Sequence, residues 1–218
     1  MALTLYAHPF SSYCQKVLIA LYENTTPFEY RHLGEQPAAA QELAALWPLN
    51  KFPVLVDAGK PVMEASIIIE HLDLHHRGPV RMLPADAKAA LEARLMDRCF
   101  DNYIMTPMQK VVGDRLRAEP QRDPHGVAAA LSQLATAYRW LDGVMAGRSW
   151  AAGEAFSLAD CAAAPALFYA DWTHEIDGGL KPLRAYRTRL LERPSFARAV
   201  DEARPYRSLF PLGAPDRD

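Results

Sequence analysis

The chain has 218 residues, half of them apolar, which is ample for one large packed core or two smaller ones, so intrinsic disorder is excluded. The net charge of −2 and a pI near 6.4 offer no basic surface for nucleic acid, and the longest apolar runs are too short to span a bilayer. Three cysteines cannot all pair, and the sequence shows no basic N-terminal segment followed by an apolar stretch. We therefore expect a reduced, cytoplasmic protein with no nucleic-acid or membrane partner.

The first third of the chain alternates between strand and helix patterns. Its first helix is amphipathic, because Cys14, Val17 and Leu21 recur on one face while Gln15 and Lys16 lie on the other. The order β-α-β-α-β-β-α predicts a small α/β domain. The predicted elements are a strand at 3–7, a helix at 12–23, a strand at 28–33, a short helix at 37–46, a hairpin of strands at 53–57 and 60–63, and a helix at 65–75.

Only helical patterns follow a segment at 77–86 that carries a glycine and two prolines and that we predict to be an interdomain linker. Ser157 and Asp160 fit a reciprocal N-terminal cap of one of these helices. The chain is thus predicted to contain an α/β domain at 1–76 and an all-α domain at 87–218. The predicted helices lie at 87–116 with an interruption at Pro107, at 126–145, at 158–172, at 180–192 and from Ser195 onward.

The start of the first helix is the most informative place for function. A strand ends, the turn His8-Pro9-Phe10 follows, and Ser11, Ser12 and Cys14 bring two hydroxyls and a thiol to a helix N-terminus. The free N–H groups and the positive end of the helix dipole favour an anion there, such as a thiolate. Without further evidence, a plain N-cap is the simpler interpretation of Ser11.

Together with the order of elements, four segments resemble the cytosolic glutathione transferase superfamily, and within it the serine-type, theta- or zeta-like bacterial members. The resemblance covers nearly the whole chain and implies a thioredoxin-like N-terminal domain followed by an all-helical C-terminal domain. It also implies glutathione as co-substrate or cofactor, and a homodimer. The segments are Ser-Ser-Tyr-Cys-Gln-Lys-Val at 11–17, Asn-Lys-Phe-Pro-Val-Leu at 50–55, Glu-Ala-Ser-Ile-Ile-Ile-Glu-His-Leu at 64–72 and Phe-Ser-Leu-Ala-Asp at 156–160.

The resemblance implies that Ser11 is the catalytic residue, because serine-type members donate a hydrogen bond from this position to the glutathione sulfur. Ser12 takes the role if the helix begins one residue later. Tyr6 is a third candidate, since tyrosine-type members use a tyrosine near the end of their first strand. Cys14 stands where a glutaredoxin-like C-x-x-C has its second cysteine, and Ser11 replaces the first, so a dithiol cycle is excluded. The helical spacing of Cys14 favours a buried structural role.

The resemblance also implies that the cysteinyl part of glutathione lies along Phe52 and Pro53. In the family this X-Pro bond is cis and the backbone of the preceding residue pairs with the ligand. The residues alone favour a trans bond, because only about 5–6% of X-Pro bonds in folded proteins are cis. Lys51 is expected to meet a glutathione carboxylate, with a solvated loop lysine as the equal alternative.

Glu64 and Ala65 fall on the family's Glu-Ser pair, which holds the γ-glutamyl group. Glu64 can accept from the ligand ammonium, while N–H groups at the helix start receive its carboxylate. Ala65 departs from the family because its methyl replaces a hydroxyl, so a hydrogen bond of about 1.5–3 kcal/mol to a charged partner is missing. Ser66 is also expected near the ligand, although one residue along a helix turns it by about 100°. A capping pair of Glu64 and Ser66 without any ligand is the alternative.

The first long helix of the second domain borders the electrophile site in this family. The resemblance therefore implies that Phe10, Phe100 and Tyr103 contact substrate, although an aromatic stripe at helical spacing is ordinarily core. His71 and His75 lie at i, i+4 on one helix, but the sequence offers no evident third ligand, so no metal is expected.

We accordingly predict a glutathione transferase that conjugates the glutathione thiolate to a small apolar electrophile, as in detoxification. A second enzymatic alternative uses glutathione as a cofactor for isomerisation, ether cleavage or disulfide reduction. The alternative of another class is a transferase-like binding or scaffold protein without catalysis, and Ala65 is its best evidence.

Overall fold

The computed structural model describes residues 3–218, so the first two residues of the predicted 1–76 domain lie outside the described residues. A π-helical segment, Phe100–Met105, joins the fourth and fifth α-helices, and short 3₁₀ segments follow the fifth and ninth. The elements are β1 (Leu3–Ala7), α1 (Ser12–Glu23), β2 (Phe28–His32), α2 (Pro37–Leu46), β3 (Val54–Asp57), β4 (Lys60–Met63), α3 (Ala65–His75), α4 (Ala87–Cys99), α5 (Thr106–Arg115), α6 (Pro124–Met145), α7 (Leu158–Thr173), α8 (Lys181–Leu191) and α9 (Pro194–Ala203).

The four strands form one mixed sheet in the order β2-β1-β3-β4, with β1 parallel to β2 and antiparallel to β3. Strands β3 and β4 form the predicted hairpin, in which Asp57 pairs with Lys60. The two turn residues, Ala58 and Gly59, both have positive φ, as a two-residue hairpin turn with the strand's own twist requires. This sheet, with the helices that follow it, confirms the predicted α/β plus all-α fold class.

The alternation of side chains along β1 places the two faces of the sheet against different helices. Leu5 packs with α1 and α3 in the main core, while Tyr6 points to the other face and packs with Leu43 of α2. The two N-termini of α1 and α3 therefore lie on the same side of the sheet.

Helix α1 is buried on both sides, including the face that carries the polar residues Gln15 and Lys16. Gln15 and Lys16 are 0% and 1% exposed, because the helical part covers that face. Gln15 contacts Tyr169 of α7, and Lys16 pairs with Asp97 of α4 and with Asp101 of the π-helical segment. At the end of α1, Glu23 pairs bidentately with Arg193, with N–O distances of 2.7 and 2.6 Å. Helix α1 thus belongs to the core of both predicted domains.

The segment 77–86, predicted as a linker, is anchored at several points. The Asn24 side chain accepts from the Val80 N–H at 2.8 Å and donates to the Val80 carbonyl at 3.0 Å. Asp73 accepts from the Met82 N–H at 2.8 Å, and Met82 is 1% exposed. The segment is therefore a fixed connection rather than a loose tether.

The predicted cap of α7 is present. The Asp160 carboxylate accepts from the Ser157 N–H at 2.9 Å, while the Ser157 hydroxyl accepts from the Ala159 N–H at 3.3 Å. Asp160 also accepts from the Ala151 N–H at 2.8 Å and the Tyr186 hydroxyl at 2.6 Å, so four donors surround this buried carboxylate once the Ser157 hydroxyl is included.

The interruption predicted at Pro107 begins earlier in the chain. Proline has no N–H to donate to the carbonyl one turn earlier, so the regular ladder cannot run through this position. The preceding turns widen into the π-helix Phe100–Met105, and Pro107 lies in the first turn of α5.

Among residues 3–218, no helix is both long and apolar enough to cross a membrane. The three cysteines, Cys14, Cys99 and Cys161, are free and buried.

Candidate functional site

A cleft of about 780 Å³ lies where the α/β part meets the helical part. It is bounded by the N-termini of α1 and α3, the segment that leads into β3, helix α5 and the segment after α9. The structure thus brings three separate sequence segments of the resemblance into one site. The predicted site residues that line it are Phe10, Ser11, Ser12, Lys51, Phe52, Pro53, Glu64 and Ala65.

Ser11 is the N-cap of α1 and has extended backbone angles, φ −85° and ψ 124°. Its Oγ accepts a hydrogen bond from the Cys14 N–H at 3.4 Å. A hydroxyl that accepts in this way still has its own hydrogen to donate. The two interpretations of Ser11, as a helix cap and as a donor to a ligand, are therefore compatible in this geometry.

The thiol of Cys14 is unsuited to act as the nucleophile. It is 0% exposed, its Sγ accepts from the His8 N–H at 3.4 Å, and burial raises its pKa to about 12. Tyr6 is also remote from the cleft lining, because its hydroxyl donates to Glu42 at 2.9 Å on the α2 side of the sheet. Of the four candidates for the sulfur contact, Ser11 and Ser12 are the two that line the cleft.

The second polar region of the cleft is the N-terminus of α3. Glu64 precedes this helix with φ +69°, a left-handed conformation that is costly for a residue with a side chain and that is frequent at functional sites. Its carboxylate is exposed and makes no cap hydrogen bond. Ala65 is 7% exposed beside it, and the Phe52–Pro53 bond is cis, as the resemblance implied.

Ser66 lies outside the cleft lining, contrary to its predicted place near the ligand. Its hydroxyl accepts from Lys16 Nζ at 2.9 Å and donates to Asp97 Oδ2 at 2.8 Å. The physical reason is the turn of about 100° from Ala65, which aims Ser66 beneath the cleft instead of into it. The alternative, in which Glu64 and Ser66 cap the helix as a pair, is not supported, because the Glu64 side chain makes no cap hydrogen bond.

Five side chains form what we call the interdomain ion cluster: Lys16, Ser66, Asp97, Arg98 and Asp101. Arg98 and Asp101 line the cleft, and the other three lie outside its lining. Lys16 Nζ, 1% exposed, lies 2.5 Å from Asp97 Oδ1 and 2.9 Å from Asp101 Oδ2. Arg98 donates to the same two carboxylates at 2.7 and 2.6 Å. No local sequence pattern marks this cluster, because its members are separated by up to 85 residues.

Two of the three aromatic residues predicted to contact substrate lie elsewhere. Phe100 is 0% exposed in the core, and Tyr103 is 52% exposed in a shallow groove with Trp140. The helix presents Asp101 and Asn102 to the cleft instead, since the π-helical turn changes which residues share a face.

The apolar part of the cleft comes mainly from residues that sequence analysis missed. Met108, Val112 and Leu116 recur at i, i+4 and i+8 after Pro107, a period that could have identified them. Leu209 and Phe210, from the segment after α9, also line the cleft. No local pattern marks these last two as site residues.

Phe10 connects the turn before α1 to the helical part. Its ring lies 5.4 Å from that of Tyr169 in a T-shaped arrangement. The buried Gln15 amide donates to the Pro9 carbonyl at 2.9 Å and to the Tyr169 hydroxyl at 3.1 Å. These contacts fix the turn that carries Ser11.

The sheet order and the helices that follow define a thioredoxin-like domain joined to an all-helical domain. Residues 5–80 match the glutathione S-transferase N-terminal domain, and residues 124–189 match the glutathione S-transferase C-terminal domain. The chain belongs to the glutathione S-transferase family.

Three relatives illustrate the range of the similarity. The stringent starvation protein A homolog of Haemophilus influenzae is 28% identical over 205 residues, covering 93% of this chain and 92% of that protein. Glutathione S-transferase U7 of Arabidopsis thaliana is 30% identical over 180 residues, covering 81% of this chain and 72% of that protein. A Methylobacterium radiotolerans glutathione S-transferase, whose crystal structure is in complex with glutathione sulfonate, is 30% identical in sequence. Its structure matches with a TM-score of 0.80, covering 92% of this chain and 95% of that chain.

Proposed function

We propose that the protein is a serine-type glutathione transferase that conjugates the glutathione thiolate to a small apolar electrophile. The observation that carries the proposal is that one cleft holds the N-termini of two helices, with Ser11 at one and Glu64 at the other, beside an apolar wall. The M. radiotolerans relative, whose structure contains glutathione sulfonate, supports the choice of ligand.

At the sulfur end, the proposed role of Ser11 is to donate its hydroxyl hydrogen to the thiolate. The positive end of the α1 dipole adds to this stabilisation. The same N-terminus supplies the first N–H groups of α1, of which that of Cys14 is already bonded to Ser11 Oγ. Ser12 is the substitute donor, since it lines the cleft next to Ser11.

At the γ-glutamyl end, the proposed partner of the ligand ammonium is the Glu64 carboxylate. The ligand's α-carboxylate would meet the first N–H groups of α3, where the helix dipole favours a negative charge. Phe52 would pair with the cysteinyl backbone, and Lys51 with a terminal carboxylate, because both line the cleft between the two helix starts. Catalysis would consist mainly of ionising and positioning the thiol.

The proposed electrophile lies against the apolar wall formed by Phe10, Met108, Val112, Leu116 and Phe210. This wall and the polar helix starts belong to the same cleft, so a thiolate held at Ser11 faces an apolar substrate. The reducing cytoplasm is the proposed location, supported by three free, buried cysteines.

Product analysis with glutathione and one probe for each reaction tests the reaction type: chlorodinitrobenzene for transfer, a cis-enone for isomerisation, an aryl ether for ether cleavage and a disulfide for reduction. A glutathione conjugate with stoichiometric loss of glutathione supports transfer. Regenerated glutathione with an isomerised or cleaved substrate favours the cofactor alternative, and glutathione disulfide favours reduction. No turnover together with tight glutathione binding contradicts the transferase proposal.

A non-catalytic binding or scaffold protein is the second candidate function. Two observations favour it: Ala65 replaces the family's hydroxyl, and the starvation-protein homologues, whose names describe no transferase, cover almost the whole chain. Calorimetry with glutathione separates the two candidates. Binding in the micromolar to low millimolar range supports the enzyme, and no binding at millimolar glutathione supports the scaffold.

Replacing Ala65 with serine is expected to lower the Kd for glutathione by about tenfold or more. The new hydroxyl would supply a hydrogen bond to a charged ligand group, worth about 1.5–3 kcal/mol. Calorimetric titration measures the change. Ser66→Ala is the matched control, because the Ser66 hydroxyl contacts Lys16 and Asp97, so its loss should leave the Kd within about twofold. An unchanged Kd in Ala65→Ser would remove position 65 from the ligand site.

We also propose that the protein forms a homodimer through α3 and α4. On α3, Ile67 is 53% and Leu74 is 67% exposed, and on α4, Leu91 is 67% and Leu95 is 52% exposed. These four side chains form an apolar surface that spans both helices. The Arg94 guanidinium contacts the Glu70 carboxylate bidentately at 2.9 and 2.8 Å, which places the two helices side by side at this surface.

Leu91→Glu is expected to convert the dimer to a monomer, because it introduces a charge into a desolvated apolar contact. Light scattering gives the mass directly. Leu116→Glu is the control, since Leu116 is 71% exposed but lies at the cleft. A wild-type chain that scatters as a monomer contradicts the proposed dimer.

A further inference from the structure

Three side chains converge away from the cleft, where β3 and α3 both end. Asp57 is the last residue of β3, His71 lies in the last turns of α3, and His76 follows the helix as its C-cap. The Nε2 atoms of His71 and His76 lie 2.8 and 2.7 Å from the same oxygen, Asp57 Oδ2. One nitrogen or oxygen atom from each of the three residues lies within 4.8 Å of the others.

We propose that Asp57, His71 and His76 form a binding site for a divalent transition-metal ion, with Zn²⁺ as the ion that this donor set fits. The site is independent of glutathione, because none of its residues lines the cleft.

The donor atoms are already close to the spacing that a metal requires. Zn²⁺ binds imidazole nitrogen and carboxylate oxygen at about 2.0–2.2 Å in a tetrahedral arrangement, which sets neighbouring donors about 3.3 Å apart. Each Nε2–Oδ2 distance therefore needs to open by about half an ångström. The two hydrogen bonds to Asp57 would be exchanged for three coordinate bonds, one from each residue.

The chemistry of the donors selects the class of ion. Two imidazoles with one carboxylate suit Zn²⁺, Ni²⁺ or Cu²⁺, whereas Mg²⁺ and Ca²⁺ take oxygen ligands. The side chains of Asp57, His71 and His76 are 19%, 22% and 29% exposed, so an ion can reach them and water can complete the coordination. The three ligands come from a strand end, a helix and a helix cap, so the ion would fasten β3 to the C-terminus of α3.

His75 supplies a matched control on the same helix end. Its ring centroid lies 4.6 Å from that of His71, but His75 is exposed and its nitrogens do not belong to the group around Asp57. A surface histidine pair at i, i+4 would need both His71 and His75, whereas the proposed site needs His71 and His76.

Isothermal titration with ZnCl₂ on the complete, reduced chain in glutathione-free buffer tests the proposal. We expect one Zn²⁺ per chain, an affinity at least tenfold weaker in His71→Ala and in His76→Ala, and wild-type affinity in His75→Ala. Zn²⁺ should also raise the melting temperature of the wild type and of His75→Ala but not of His71→Ala. MgCl₂ should produce neither effect.

Circular dichroism in EDTA verifies that each variant is folded, and Asp57→Asn replaces any histidine variant that is not. The buried cysteines do not compete for the ion in the folded chain. Absence of Zn²⁺ binding by the wild type, wild-type affinity in His71→Ala and His76→Ala, or a loss confined to His75→Ala would each overturn the proposal.

Discussion

Replacing Ser11 with alanine is expected to lower kcat/KM for glutathione conjugation at least tenfold while the protein stays folded. A free thiol has a pKa of about 8.5, and lowering it by about 2 units requires about 2.7 kcal/mol. One hydrogen bond to a charged group supplies about 1.5–3 kcal/mol, which is the right size. Because Ser11 also caps α1, the free energy of unfolding should fall by about 1 kcal/mol.

The pH profile separates the two roles of Ser11. Loss of the cap alone lowers stability and leaves the profile in place, whereas loss of the donor moves the pH midpoint of the rate upward, toward the pKa of the free thiol. Ser11→Thr keeps a hydroxyl and should restore most of the rate. Ser12→Ala is the positional control and should change the rate by less than threefold. Normal kinetics in Ser11→Ala with a loss in Ser12→Ala would transfer the role to Ser12.

Replacing Lys16 with methionine is expected to lower the free energy of unfolding by about 3–5 kcal/mol. The change removes the buried cation of the interdomain ion cluster and leaves Asp97 and Asp101 without the ammonium that lies 2.5 and 2.9 Å away. Burial already raises the pKa of the Asp101 carboxyl, so this group is poorly suited to lose a counter-charge. Urea unfolding measures the loss.

Arg98→Met is the matched control for Lys16. Arg98 contacts the same two carboxylates, but its side chain is 49% exposed, so water compensates for much of the lost interaction. We therefore expect the free energy of unfolding to fall by only about 1 kcal/mol. Equal losses in both variants would show that burial of Lys16 is unimportant. A Lys16→Met protein as stable as the wild type would contradict the role assigned to the cluster.

Local patterns predicted most of the fold because they reflect local causes. The strand predicted at 3–7, the hairpin of strands predicted at 53–57 and 60–63, and the Ser157–Asp160 cap each depend on a few neighbouring residues, and each is present in the structure. The helix predicted from 65 to 75 has the observed bounds. The segments that line the cleft were found as motifs because each lies on one short stretch of chain.

What sequence analysis missed depends on contacts between distant segments. Lys16 lies on the polar face of an amphipathic helix, and it is buried because Ser66 of α3, Asp97 of α4 and Asp101 of the π-helical segment surround its ammonium. His76 joins His71 around Asp57 because β3 and α3 end side by side, which no helical spacing reveals. Phe100 lies in the core four residues after the buried Met96, as an aromatic stripe at helical spacing ordinarily does.

The most direct test of the central claim is a crystal structure of the protein with glutathione. The proposed function predicts the sulfur within hydrogen-bond distance of Ser11 Oγ, the ligand ammonium on Glu64 and the γ-glutamyl carboxylate at the N–H groups that begin α3. Glutathione with its sulfur at Cys14 or Tyr6, or an empty cleft at saturating glutathione, would contradict it.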